Sequence, residues 1–420
     1  MRLMRKSLRP SMRWASPRPS PEAFEYQESC MFQQMIRIFA GIVIALHVAG
    51  LVNASEKALL WDTSTPLPKS AELAALPGVE FHVIKRRDVK ADGYNWLHGV
   101  ALAWHKGKLY ASFGLNAGAE NTASEVAAWT VSEDGGKTWS PVRIIDAGDE
   151  SDKHAVSHGV FCSQAGKLWA FMGSFYGHMQ RVHMRAYVLN ETTGQWEARG
   201  EVAGEGFWPM QEPIRMADGN YILGGLISGN GYGGVDDPAA VAISDGENLV
   251  RWRVVVIPKP KQLNMWGEST VIVDGARILN ISRFREPRAL MSVSEDYGRT
   301  WSMIQPSNLP MAASKPYAGT LSTGQRYLIC TTTADAGNRR SPLTIAVSRP
   351  GEDRFCRVFK IRDAEHDGPG ESHPKARLSY PYAVEHDGKL YVGYSNSGDR
   401  GGNRNSAELA VIPIQSLSVE

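Results

Sequence analysis

The stretch WGESTVIVDGARILNISRFREPRALMSVSEDYGRTW, residues 266–301, decides the fold. Apolar residues alternate up to Asp274-Gly275 through Thr270 and Ile272, and return through Ile278, Leu279 and Ile281. Alternation on both sides of Asp-Gly predicts a tight hairpin, because glycine supplies the turn dihedral that other residues resist. A third strand at 289–293 leads into Ser294-Glu-Asp296-Tyr-Gly298-Arg-Thr300-Trp301. Three or four antiparallel strands in about 45 residues have the size of one propeller blade.

The same unit recurs along the chain. Its turn glycines are Gly107, Gly166, Gly219, Gly275, Gly324 and Gly388, spaced 59, 53, 56, 49 and 64 residues apart. The expectation is an all-β, six-bladed β-propeller at 55–420, with an isolated strand at 79–86 supplying the outer strand of the last blade. That arrangement removes an exposed sheet edge. A seventh blade enters only if 55–78, rich in proline, contributes more than an irregular wrap. A second series runs out of phase with the first. Ser132-Glu-Asp134-Gly-Gly136-Lys-Thr138-Trp139 and Ser294–Trp301 are full copies of S-x-D-x-G-x-T-W. Ser244 to Trp252, Thr192 to Trp196 and Ser348 to Phe355 are decayed copies.

Composition narrows the setting. The chain is 43% hydrophobic and 21% charged, ordinary for a globular protein. Residues 1–30 carry Arg2, Arg5, Lys6, Arg9, Arg13 and Arg18 among Ser and Pro, and read as a disordered leader or over-extended start. Arg37, an apolar run at 38–52 and Ala54 then make a secretory signal peptide over 31–54. Its removal would take seven Lys/Arg and three Asp/Glu and move the net charge from +2 to −2. That balance argues against a nucleic-acid partner. No Cys follows Ala54, so a lipid anchor to a membrane is not expected. Cys162, Cys330 and Cys356 allow one disulfide but fit no metal site.

The inner strands of a propeller converge on its axis. Their opening positions hold His98, His158, Gln211 with Glu212, Glu268, Lys315 and Tyr380, a polar set expected to line one funnel. The S-x-D-x-G-x-T-W turns resemble the Asp-box of sialidases (neuraminidases) and other propellers. There Ser and Asp hold turn backbone and Trp packs between strands, so Asp134 and Asp296 read as scaffold. The segment from Glu268 through Asp274-Gly275 to Asn280-Ile-Ser-Arg283 resembles a sialidase active-site segment. The resemblance implies that Glu268 activates the nucleophile and that Arg283 grips the substrate carboxylate. Asn338-Arg339-Arg340-Ser-Pro resembles the segment bearing another arginine of that grip, with Arg340 the match and Arg339 its rival. Tyr380 stands where the family has its tyrosine nucleophile. A neutral Tyr suits a sugar whose anomeric carbon bears a carboxylate, because an anionic nucleophile would be repelled.

Two positions depart from the family. Trp96-Leu97-His98-Gly99 replaces an arginine segment, leaving Arg181 and Arg185 as candidates to stand in for it. The loop after blade one offers Glu120 where an acidic Asp is expected, with Glu125 read as structural. His98 and His158 therefore keep a second reading open, a lyase or hydrolase of uronate glycans in which His or Tyr moves the proton. A third is a glycan-binding propeller without turnover, stacking sugars on Trp96, Trp208 and Trp266. In the leading reading the partner is an acidic glycan, the protein is a secreted or periplasmic monomer, and no cofactor is needed. His98, His158 and Lys315 join the arginines in binding substrate. Deleting 1–30 should leave export intact in a fractionation assay; retention in the cytoplasm would remove the signal peptide from this reading.

Overall fold

The computed structural model describes residues 58–228 and 237–419. The leader and the signal segment expected at 1–54 lie outside the described residues. The described residues form six antiparallel sheets arranged as a six-bladed propeller. The inner strands are Trp96–His105, His154–Gln164, Phe207–Pro209 with Ile214–Arg215, Met265–Asp274, Tyr317–Thr320 and Leu378–His386. We number the blades one to six in that order.

The ring closes as the sequence predicts. Strand Glu80–Lys85 pairs antiparallel with Ser406–Pro413, Glu80 opposite Val411 and Lys85 opposite Ala407. The preceding segment makes no seventh blade. Trp61 bridges Phe355 and Ala75 bridges Lys360 in parallel, so 58–78 runs along the outer strand of blade five. The expected hairpin is present, with Asp274 opposite Arg277. Its inner strand is buried almost continuously instead of alternating. The cause is stacking: Val271 packs with Ile222 and Val241 of blade three and Ile272 with Ala318 and Leu328 of blade five, so both faces of the strand are covered. Cys162, Cys330 and Cys356 are separate, buried, free thiols.

Both Asp-boxes are local hydrogen-bonded turns. Ser294 Oγ accepts from Gly298 N at 2.8 Å, and Asp296 Oδ1 accepts from Thr300 N at 2.8 Å. The Trp301 indole donates to Gly298 O at 2.9 Å. The Ser132–Trp139 copy repeats each bond. Glycine is required at these turns. Gly298 has φ +77°, and a Cβ there would lie 2.7 Å from Ile222 of blade three. Among the decayed copies, Trp252 still donates to Leu249 O at 2.8 Å. Asp296→Ala should cost about 1 kcal/mol in denaturant unfolding and leave ligand binding of the folded protein unchanged. Lost binding at full stability would place this turn on the functional face.

Candidate active site

A regular strand sends its side chains into the neighbouring blades. Bulges redirect four inner strands. Pairing skips between His98 and Ala101, Val156 and Gly159, Met265 and Ser269, and Ser379 and Tyr382. His158, Glu268 and Tyr380 lie inside these gaps and His98 at the edge of one. An extra residue bends the strand and re-aims its side chain. Tyr380 has φ +55°, a left-handed backbone that costs a non-glycine residue energy and points to a constraint. Gly99 lets the rings approach, since a Cβ there would meet His158 Cδ2 at 2.1 Å. Blade three's inner strand breaks between Pro209 and Ile214, where Pro213 has no N–H to pair.

Two residues distant in sequence meet at the axis. The Tyr380 hydroxyl donates to Glu268 Oε1, across from blade six to blade four. Arg283 Nη1 donates to Glu268 Oε2 at 2.6 Å and lies 3.4 Å from the Tyr380 hydroxyl. Arg283 pairs with Glu268, not with Glu286 on the surface. All three side chains are buried. The His98 ring lies over the Tyr380 ring with centroids 3.8 Å apart, and the His158 centroid is 5.8 Å from that of His98. Burial holds His98 well below the usual imidazole range, and His158 is pushed down to about 3 for the same reason. Both rings are therefore neutral at physiological pH, and Nε2 of each is buried without a hydrogen-bond partner among the described residues.

Glu120 and His158 share one pocket with Glu268 and Tyr380, walled by Met179, Trp208, Met210 and Leu226. Its free volume is about 30 Å³, room for a water or two. Asn403 Nδ2 donates to both Glu120 oxygens, at 2.9 and 3.0 Å, across the seam between blades one and six. Burial raises the Glu120 pKa; the nearby Glu268 charge adds to the rise, while Asn403 and the arginines oppose it.

Three arginines gather around this centre. Arg340 Nη2 donates to Ala313 O at 3.0 Å, and no carboxylate among the described residues pairs with it. Burial, then the positive charge of Arg283, lowers its pKa. Arg339 bonds Asp335 at the surface, which removes it as the rival. Arg377 is an exposed arginine that the sequence reading missed. Leu378 N donates to Arg340 O at 2.8 Å, so Arg377 enters beside Arg340, three residues before Tyr380. Its charge reaches His98 and Arg340. Arg185 is bonded to Tyr187 within blade two, and Arg181 covers Tyr176 outside this pocket, so neither stands in for the missing arginine.

Several predicted funnel residues lie elsewhere. Gln211 ties blades together, accepting from Val271 N at 2.6 Å and donating to Ala318 O at 2.9 Å. Glu212 accepts from the Tyr317 hydroxyl at 2.6 Å and is buried enough to raise its pKa. Lys315 is buried with Nζ donating to Pro381 O at 3.0 Å, and burial pulls its pKa down to about 8. It underlies the Tyr380 bulge instead of lining the pocket. The tryptophans offer no free sugar platform. The Trp266 ring is engaged by the Arg283 and Arg285 guanidiniums at 4.1 and 4.3 Å from its centroid. Trp96 and Trp208 are buried, packed on the histidines. Glu125 is structural as expected, its carboxyl accepting from Asn121 N and folding the loop after blade one. Among the described residues no group of three His, Cys, Asp or Glu is arranged to hold a metal ion.

This fold, with its Tyr–Glu–Arg centre at the axis, defines a sialidase-like propeller. The family described as the BNR repeat-like domain matches residues 107–392, and the chain belongs to it. No curated protein sequence matches the chain. Among solved structures it is similar to a Dyadobacter fermentans protein of unknown function, at 13% identity and a TM-score of 0.59, over 80% of this chain and 99% of that one. The NanB sialidase from Streptococcus pneumoniae is 10% identical with a TM-score of 0.59, over 80% and 71%. Trypanosoma rangeli sialidase, in its covalent complex with 2,3-difluorosialic acid, is 14% identical with a TM-score of 0.57, over 82% and 60%. At such identities the likeness is one of fold.

Glu125 supplies a pH test. Burial raises its pKa from 4.5 to about 8, so the folded state binds more protons than the unfolded one between those values. Its contribution is fully present below pH 4.5 and is lost as pH rises through about 8. Wild type should therefore lose thermal stability over that window relative to Glu125→Gln. Parallel melting-temperature profiles would place the Glu125 proton elsewhere.

Proposed function

We propose that this protein is an exported exo-glycosidase of the sialidase type, releasing a terminal acidic sugar from a glycan. The observation that carries the reading is the Tyr380 hydroxyl donating to Glu268 while Arg283 holds the other carboxylate oxygen. A phenol is a weak nucleophile until a base takes its proton. As Tyr380 Oη attacks the anomeric carbon, Glu268 accepts the phenolic proton, and the bond to the leaving oxygen breaks. Glu120, whose raised pKa keeps a proton available, protonates that oxygen. Water then attacks the glycosyl–tyrosine, giving a proton to Glu120, while Glu268 returns its own to the tyrosine oxygen. Two displacements retain the anomeric configuration.

Arginine forks match carboxylate geometry. Arg283 and Arg340 form the grip in this reading, with Arg377 added at the mouth in place of an arginine from blade one. His98 and His158, being neutral, fill the pocket wall without opposing the cations. Met179 and Met210 must swing aside to admit a sugar, and unbranched thioether side chains do so at small cost. The covalent complex of the Trypanosoma rangeli enzyme is a precedent within the fold. Export rests on the apolar segment before Ala54.

The unpartnered Nε2 of His158 in the pocket favours one second reading, proton abstraction from a uronate by histidine. Substitutions separate the two. On sialylated glycans, Tyr380→Phe should abolish sugar release while keeping binding of the free sugar, and Glu268→Gln should slow it by roughly 10²–10⁴-fold. His98→Ala should cost less than either. A dead His98 or His158 variant with an active Glu268→Gln, on a uronate glycan yielding an unsaturated product, would replace the hydrolase with the lyase.

A further inference from the structure

One buried carboxyl takes no part in the proposed chemistry, yet it is connected to the pocket. Glu125 stands just before strand Val126–Ser132 of blade one and is buried. Its carboxyl accepts from Asn121 N and is also hydrogen-bonded to the Ser157 hydroxyl of blade two. Ser157 is itself buried, and its Oγ lies 3.3 Å from His158 Nδ1. His158 lines the Tyr380 pocket. With Nδ1 engaged, Nε2 is the ring nitrogen left for an occupant.

Neighbouring residues of a regular strand point to opposite faces. Ser157 and His158 escape that rule because both fall in the bulge between Val156 and Gly159, so an adjacent hydroxyl and imidazole can touch. The hydroxyl also needs room on the side of blade one, where a Cβ at Gly114 would come 2.8 Å from Ser157 Oγ. Tying down the loop takes only an acceptor oxygen, which an amide would supply as well as an acid. A carboxyl adds something an amide lacks: it donates while protonated and only accepts once ionised. The protonated nitrogen of an imidazole is in turn set by the bond that its other nitrogen makes.

We propose that Glu125 and Ser157 are positioning residues that set the tautomer of His158, and so decide whether Nε2 offers the pocket a proton or a lone pair. The assignment rests on the reading of this pocket as the place where substrate binds, not on which bond is then broken. With Glu125 protonated, its O–H donates to Ser157, Ser157 donates to Nδ1, and the imidazole proton sits on Nε2. The pocket then recognises an acceptor oxygen, of a carbonyl or a carboxylate. With Glu125 ionised, Ser157 donates to the carboxylate and accepts from Nδ1–H, and Nε2 turns a lone pair to the ligand. One proton leaves the carboxyl, and the imidazole proton moves from Nε2 to Nδ1. Burial brings the change at Glu125 to about 8; the charge of Glu120 adds to the rise, and the bonds from Ser157, Asn121 and Thr122 oppose it. His178 meets the same loop at Asn121 O. His98, Tyr380, Glu268, Glu120 and Lys315 surround His158, and burial, then Lys315, keeps its ring neutral. Proton abstraction by His158 needs the lone pair, so a lyase built on it would work only at alkaline pH.

Long-range proton–nitrogen correlation spectra of the full chain, grown with isotope-labelled histidine, read the tautomer without requiring turnover. The signals of His158 are those missing from His158→Gln. In wild type its proton should sit on Nε2 in acid and move to Nδ1 as pH rises through about 8. Glu125→Gln, whose amide donates to Ser157 at every pH, should keep Nε2–H throughout. Ser157→Ala should leave a tautomer that no longer follows Glu125. A Glu125 that only folds its loop would move none of these signals. One tautomer across the window in wild type, or a switch that survives in either variant, would overturn the relay. Free sialic acid, bound through an acceptor oxygen, should lose about tenfold in affinity over the same window relative to Glu125→Gln, the loss of one hydrogen bond. Parallel affinity profiles would overturn the part of His158 in recognition. The switch, in a protein that binds no sialic acid at any pH, would uphold the relay and overturn the sialidase reading alone.

Discussion

Everything at the axis depends on the pairing that shuts the ring. Strand Glu80–Lys85 completes blade six from the opposite end of the described chain, so the sheet that carries Tyr380 has four strands and Ser406–Pro413 is no longer its edge. The seam it secures joins blade six to blade one. Leu97 bridges Arg404, and Asn405 donates to Leu97 O at 2.7 Å. The same seam carries chemistry. The His98 ring packs at a tilt against Tyr380, and Glu120 is held by Asn403. Closure of the fold and placement of His98 and Glu120 at the candidate site are thus linked, because the contacts of both with blade six cross that joint.

The blades were legible because each repeats a cheap local signal. Alternation around a glycine turn names a hairpin wherever it occurs, and the Asp-box carries its own hydrogen-bond partners within eight residues. Glu268 and Tyr380 were legible for a related reason, since they open strands that a sixfold repeat brings to one axis, whereas Arg283 came only from the resemblance to a sialidase segment. Arg377 was not. It precedes its strand, in a segment without repeat, and its place beside Arg340 follows from one backbone bond between Leu378 and Arg340. Nor were the bulges visible. A bulge adds one residue to one strand, which in sequence looks like ordinary variation in blade length. Lys315 and Gln211 show the other limit. Both were read as opening inner strands, yet Lys315 precedes its strand and lies beneath the pocket, and Gln211 sits in the break of its strand and is consumed in tying three blades together.

The electrostatics of the centre has a consistent logic. Buried arginines are costly unless something anionic meets them. Glu268 meets Arg283, but among the described residues Arg340 has only a backbone carbonyl, and burial, then its cationic neighbours, push its pKa down. A cation so placed favours an anionic ligand, since binding supplies the charge that the protein withholds. The two neutral histidines fit this scheme. Were either protonated, it would add to an already positive wall, and burial together with the surrounding cations prevents it. Neutral Tyr380 is suited to the same field, because a carboxylate in its place would pair with the arginines and take the charge that the proposed grip would offer a ligand.

Beneath the pocket lies a second polar layer that explains how the strained tyrosine persists. Lys315 spans to Pro381 O, and its ammonium lies 5.4 and 5.7 Å from the Tyr317 and Tyr382 ring centroids. Glu212 accepts from Tyr317 beside them. Burying a lysine and a glutamate in such a place disfavours both charges, as their shifted pKa values record. A plain apolar plug would fill the axis at less cost, but it would leave the Pro381 carbonyl unpaired within the bulge. The lysine removes that penalty and fixes the carbonyl next to the left-handed Tyr380. The direction of the phenol is therefore set from below, by a side chain that never reaches the pocket. A layer of this kind restricts the tyrosine to one orientation, which the proposed attack on a single carbon would require.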